Sequence, residues 1–191
     1  MRAQIPSLLC VIAACALGTV ATAADQPPPD AAVVDGTWQH HKVTINYFGI
    51  TSLYSCYGLE DHVKDILLHF GARKDAKVRA SGCPRGPDVP SRTAFVYAEF
   101  DTLAPAEPSA SNTVKAYWAS RALDPRRPFF MGDGDCELVQ QMKDTLSKSF
   151  SLKDLSYDTD CVPHEITINS FQVKASALVA IPTAKTADNL R

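Results

Sequence analysis

Imidazole serves as both general base and metal ligand, so the five histidines are the first residues to weigh for chemistry. They are His40, His41, His62, His69 and His164. His62 and His69 stand i, i+7 in a helical pattern, roughly 10 Å apart along the axis. That is too far to share an ion as an i, i+4 pair does. His40 and His41 are adjacent, so a strand would send them to opposite faces and leave one exposed beside Trp38. The chain contains no G-x-S-x-G, S-x-x-K or H-E-x-x-H pattern. Asp133-Gly-Asp135-Cys-Glu137 alternates carboxylates like the start of a calcium loop, but the rest of that pattern is missing. A helix-capping role is its better reading, with Asp135 as N-cap and Glu137 near the positive dipole end. No metal and no cofactor is expected, and no catalytic residue is assigned.

Two surface features remain. Arg73, Lys74, Lys77, Arg79, Arg85 and Arg92 form the one basic run, interleaved with Asp75 and Asp88. Such a run is first a solvated face; its alternative is a docking patch for an anionic envelope component or an acidic partner. Trp38, Tyr47, Phe48, Tyr54 and Tyr57 crowd one short stretch beside Gly49, Ser52 and Ser55. Tyr is favoured at interfaces. The candidate binding surface is therefore Trp38, His40, His41, Tyr54, Tyr57, Arg73 and Lys74.

The cysteines say where such a surface would work. Residues 1–23 read as a secretory signal: Arg2, an apolar run from Leu8 to Val20, and Ala21-Thr22-Ala23 before a cut at Ala24. Ile12-Ala13-Ala14-Cys15 resembles a lipobox, so acylation of Cys15 is the alternative processing route and the one source of membrane contact. Cutting before Ala24 removes Cys10 and Cys15 and leaves Cys56, Cys83, Cys136 and Cys161. No C-x-x-C pair suits zinc or dithiol redox chemistry. An even count in an exported chain implies disulfides, and the near-equal spacings favour Cys56–Cys83 and Cys136–Cys161. With 46% hydrophobic and 21% charged residues, the composition is that of an ordinary globular protein. A net charge of −2 gives no reason to expect nucleic acid.

The elements that position these residues repeat. Cys56 to Cys83-Pro84 resembles Cys136 to Cys161-Val-Pro163. With a one-residue gap, Leu59, Lys64, Asp65 and Leu67 fall on Leu138, Lys143, Asp144 and Leu146, and Lys74-Asp75 falls on Lys153-Asp154. Leu59, Val63, Ile66, Leu67 and Phe70 make one helical stripe, stopped by Gly71. Short strands are expected at Lys77–Ser81 and Leu155–Asp158. Others are expected at Val43–Tyr47, Ala94–Phe100, Lys115–Ala119, Ile166–Ile168 and Phe171–Val179. The order is β-α-β-β twice. The expected fold is α+β: two similar units, an antiparallel sheet with helices on one face, and two disulfides. The divisions are a signal at 1–23, a Pro-rich tether at 24–36, units at 37–104 and 113–181, a linker at 105–112, and a flexible tail at 182–191.

Tyr47-Phe-Gly-Ile-Thr-Ser-Leu-Tyr-Ser-Cys-Tyr-Gly-Leu-Glu60, followed by Leu67-Leu-His-Phe-Gly71-Ala-Arg73-Lys-Asp75, resembles a family of exported hypothetical proteins of Gram-negative bacteria. That resemblance implies a bacterial, exported setting and carries no functional residue. The expectation is a periplasmic or secreted binding or envelope-accessory protein, partnered by an envelope protein or ligand. The alternatives are a hydrolase assembled from distant His and carboxylate residues, or a lipid-anchored assembly factor.

Overall fold

The computed structural model describes residues 28–182, Asp30 excepted. Its elements follow the order β1 (Val33–Phe48), α1 (Cys56–His69), β2 (Lys77–Ser81), β3 (Thr93–Pro105), β4 (Val114–Leu123), α2 (Cys136–Ser149), β5 (Leu152–Thr159) and β6 (Phe171–Ala180). This is β-α-β-β twice, in one six-stranded sheet of order β2-β3-β1-β4-β6-β5. Every pairing is antiparallel. The expected signal and most of the tail fall outside the described residues.

Strand alternation divides the sheet into two faces. Ile45, Tyr47, Val96, Ala98, Tyr117, Ala119, Val173 and Ala177 point to one side, where they share a single core with the stripes of both helices. The helices therefore lie on one face, and the other face is open. Helix α1 forms where its stripe demands: Leu59, Val63, Ile66 and Leu67 are buried, and Ser55 Oγ accepts the Gly58 N–H at 3.0 Å. It ends in a Schellman motif, with the Ala72 N–H on the Leu67 carbonyl and the Gly71 N–H on Leu68. Gly71 has φ +98°, and a Cβ there would stand 2.7 Å from Val179 Cγ1. Gly71→Ala is expected to cost about 2 kcal/mol, read as a lower urea midpoint with unchanged slope. A cost under about 0.5 kcal/mol would mean that this turn relaxes freely.

The two units are related by a pseudo-twofold axis between β1 and β4. Trp38 of β1 pairs with Leu103 of β3, and Trp118 of β4 pairs with Leu178 of β6. Both pairs sit on the open face, and with Val34, Val114 and Ala116 they form a small second core astride the axis. Each tryptophan is covered by a cation of its own unit. Arg73 Cζ lies 5.7 Å from the Trp38 centroid, and Lys153 Nζ lies 3.9 Å from that of Trp118. The disulfides match as well: Cys56–Cys83 and Cys136–Cys161 each tie a helix start to the chain beyond the following strand.

Three expectations need correction. Strand β1 begins at Val33, inside the segment read as tether, because Val33–Gly36 pair with Tyr117–Val114 of β4. Ile166–Ile168 is loop rather than strand, with the two isoleucines 62% and 69% exposed. Strand β5 ends at Thr159, paired with Phe171, so nothing remains for Ile166–Ile168 to pair with. Asp135 occupies the N-cap position of α2, but its side chain makes no capping bond there. Its Oδ2 accepts the Gly132 N–H at 2.7 Å instead.

Candidate functional site

Register places the first cluster. His40 sits opposite Asp101 across the β1–β3 ladder, and Lys42 opposite Glu99, whose other neighbour is Lys77 of β2. All of these face the open side. His40 Nδ1 is 2.7 Å from Asp101 Oδ1, and its Nε2 is 3.4 Å from Glu99 Oε1. Arg73 arrives from the turn after α1 and pairs with Asp101. It also grips Asp75, through Nε at 2.7 Å and Nη2 at 2.9 Å. That grip holds the Asp75 carboxyl below its usual range. The result is a shallow, open cleft lined by His40, Arg73, Asp75, Lys77, Glu99, Phe100 and Asp101.

Of the seven candidate surface residues, the structure brings together Trp38, His40 and Arg73, with exposed Lys74 next along the chain. His41 turns the other way, as adjacent strand residues must. Its Nε2 lies 2.9 Å from Thr102 Oγ1, and its ring lies 5.5 Å from Phe100. The Thr102 hydroxyl gives its single proton to the Ser149 carbonyl at 2.6 Å, so His41 Nε2 is the donor. Burial, then the neighbouring His40, lowers the His41 pKa. Tyr57 is exposed in the first turn of α1, away from the cleft lining.

Tyr54 belongs to a second, internal cluster. Its hydroxyl donates to Asp135 Oδ1, and its ring meets His62 edge-on at 5.2 Å. Burial, then Asp135, pushes its phenol well above the ordinary tyrosine value, so it remains a donor. Beside it lies Glu137, a buried residue of the second unit whose carboxylate accepts backbone N–H groups from a loop of the first. Ile50 N is 3.0 Å from Oε2, Thr51 N is 3.0 Å from Oε1, and Ser52 N is 3.3 Å from Oε2. Gln141, one turn on, holds both backbone groups of Phe48, at 2.8 and 2.9 Å. Sequence reasoning missed Glu99, Asp101 and Gln141, and read Glu137 only as a carboxylate at a helix start, not as the acceptor for a loop of the first unit. The one available signal was that Trp38 and Trp118 stand as far apart as Cys56 and Cys136, which marks β1 and β4 as equivalent.

Chemically, the cleft offers an imidazole oriented by one carboxylate and near another, with an arginine beside them. Its lining contains no hydroxyl or thiol, so a covalent route of the serine or cysteine type has no attacking atom there. Among the described residues, no group of three or more His, Cys, Asp or Glu is placed to hold a metal ion. No helix among them is long and apolar enough to cross a membrane. The disulfides fit an oxidising compartment. No protein-family model, curated protein or solved structure matches the chain.

His69 lies under the sheet, with Nε2 donating to the Ala122 carbonyl at 3.0 Å. Burial, then nearby Arg121, brings its pKa down to about 4 from 6.5. The folded state therefore takes up its proton later than the unfolded chain does. The neutral ring contributes fully above pH 6.5, and that contribution fades as pH falls toward 4. Between pH 7 and 4 this group alone should remove about 3 kcal/mol, read as falling urea midpoints. His69→Gln should flatten that fall; an unchanged slope would clear His69.

Proposed function

We propose that the protein is an exported binding or envelope-accessory protein that works through the open face of its sheet. The observation carrying this reading is that uncovered face, which gathers His40 and Arg73 into a cleft, with Trp38 beside Arg73, while both helices pack on the opposite side. A leader at 1–23 with a cut before Ala24 and two stapled pairs support a periplasmic or secreted setting. Photo-crosslinking in the producing cell tests it. A crosslinker at His40 or Lys42 is expected to trap a discrete ligand or partner, whereas one at exposed Lys143 or Asp144 on α2 traps none. Equal patterns from the two sets would overturn the reading. Mass spectrometry of the mature N-terminus separates the two processing routes: Ala24 for the cleaved form, acylated Cys15 for a lipid-anchored assembly factor.

The His40–Asp101 pair favours a second reading, a hydrolase in which His40 activates water. Turnover of an ester, peptide or phosphoester that is lost in His40→Ala would establish it. A panel without turnover would retire it.

A further inference from the structure

Toward the outer edge of the same face, beyond the cleft, lie three aromatic rings. Phe48, Phe95 and Tyr97 are 54%, 49% and 52% exposed. Their strand neighbours Tyr47, Ala94, Val96 and Ala98 are buried, so alternation holds all three rings outward. Phe95 and Tyr97 are two residues apart on β3, roughly 6.6 Å along the strand. The ladder puts Phe95 between Asn46 and Ser81, and Tyr97 between Thr44 and Arg79. Each of these two rings thus has a hydrogen-bonding side chain on either side. Gly82 makes room for Phe95: a Cβ at Gly82 would stand 2.9 Å from its Cδ2.

The duplication supplies an internal control. Counting back from the matched leucines, Leu103 and Leu178, Tyr97 corresponds to Gln172 and Phe95 to Ser170. By the same register Arg79 corresponds to Asp158, Lys77 to Ser156 and Lys42 to Ala122. Where the strands of the two units overlap, the second has no ring at the Tyr97 position and no cation at those of Arg79, Lys77 and Lys42; Ser170 lies just before β6. The shared sheet does not require Tyr97 or these cations, so their presence in the first unit calls for another cause.

We infer that this strip binds an acidic glycan; the inference rests on the reading of the open face as a binding surface and names the ligand class. A sugar ring has an apolar C–H face that stacks on an aromatic ring and a rim of hydroxyls that needs polar neighbours. The strip alternates those two features. A protein hot spot would instead gather contiguous apolar side chains and deplete charge at its centre. The charge sign comes from Lys42, Lys77 and Arg79 on the face, with Arg85 and Arg92 on the adjoining loop. Lys42 and Arg79 reach carboxylates only at 3.6 and 3.4 Å from highly exposed positions. Lys77, Arg85 and Arg92 make no ion pair among the described residues. A nucleic acid would also stack and also carries negative charge, but disulfides fit an oxidising compartment, where a glycan is the more accessible polymer.

The test uses the full mature chain with alginate oligosaccharides as the acidic probe. Dextran oligomers of equal length are the neutral probe, and oligo(dT) is the nucleic-acid arm. A printed set of uronate-, sulfate- and phosphate-bearing glycans accompanies them. Saturable, salt-sensitive binding to an acidic glycan is expected, weakened about tenfold or more in Phe95→Ala/Tyr97→Ala with unfolding unchanged. Tyr97→Phe should keep most of the affinity, and Gln172→Ala should keep all of it. Absence of binding to every acidic glycan overturns the inference, as does binding indifferent to Phe95→Ala/Tyr97→Ala. Equal binding of dextran, or preference for oligo(dT), also overturns it. If the crosslinking above traps a protein at His40 while no glycan binds, the glycan assignment falls and the broader binding reading stands.

Discussion

Glu137→Ala is expected to destabilise the protein by about 3 kcal/mol, among the largest effects of any single polar substitution in it. The side chain is 8% exposed and accepts the backbone N–H groups of Ile50, Thr51 and Ser52. A carboxylate receiving N–H bonds is worth more per bond than a neutral acceptor, and its removal leaves the donors to find water. Truncation also frees a loop of the first unit from the helix of the second, so the damage does not stay local. Glu137→Gln should cost about half as much, since the amide keeps one acceptor and turns a donor toward donors. Urea titration with the disulfides intact measures both. Equal costs for the two variants, or a cost for Glu137→Ala below about 1 kcal/mol, would show that this carboxylate is not the latch between units.

Removing either disulfide is expected to cost roughly 3 kcal/mol, and removing both should leave little net stability near body temperature. The loops closed are alike, with sequence separations of 27 and 25, so the chain-entropy account gives the two bridges nearly equal value. Cys56 and Cys136 are buried, and alanine pairs are the cleaner test because a serine would bury a hydroxyl. Cys56→Ala/Cys83→Ala and Cys136→Ala/Cys161→Ala should shift the urea midpoint by similar amounts. A threefold disparity would mean that strain or residual structure outweighs loop entropy at one of them.

Why the architecture could be read from the residues and the site only in part follows from what each depends on. Lys77–Ser81 alternates, is bounded by loop residues and matches β2 end to end, because local alternation is what makes a strand. The cysteine pairing followed from spacing, since both bridges close short loops within a unit. Ile166-Thr-Ile168 carries the same alternation and is loop, because a strand also needs a partner and β5 has already ended at Thr159. His40 meets Asp101 only through a ladder that joins residues 61 apart, which no local pattern encodes. Glu137 is harder still: its partners are backbone N–H groups, and backbone donors leave no mark in residue type. Asp135 had the residue type and position of a cap, yet Tyr54 and Gly132 claimed its oxygens from elsewhere in the fold.

The seam between β1 and β4 is short, only the four pairs from Val33–Tyr117 to Gly36–Val114, although the sheet runs unbroken across it. Each unit alone would present a bare strand edge whose natural complement is another unit of the same kind. The molecule is in this sense a dimer written on one chain, with the segment between β3 and β4 holding its halves at high effective concentration. A single unit expressed alone would regain that complement only by finding a second copy. The fused form, freed from dilution, can carry two unlike open faces: Phe95 and Tyr97 of one half stand at positions that Ser170 and Gln172 take in the other.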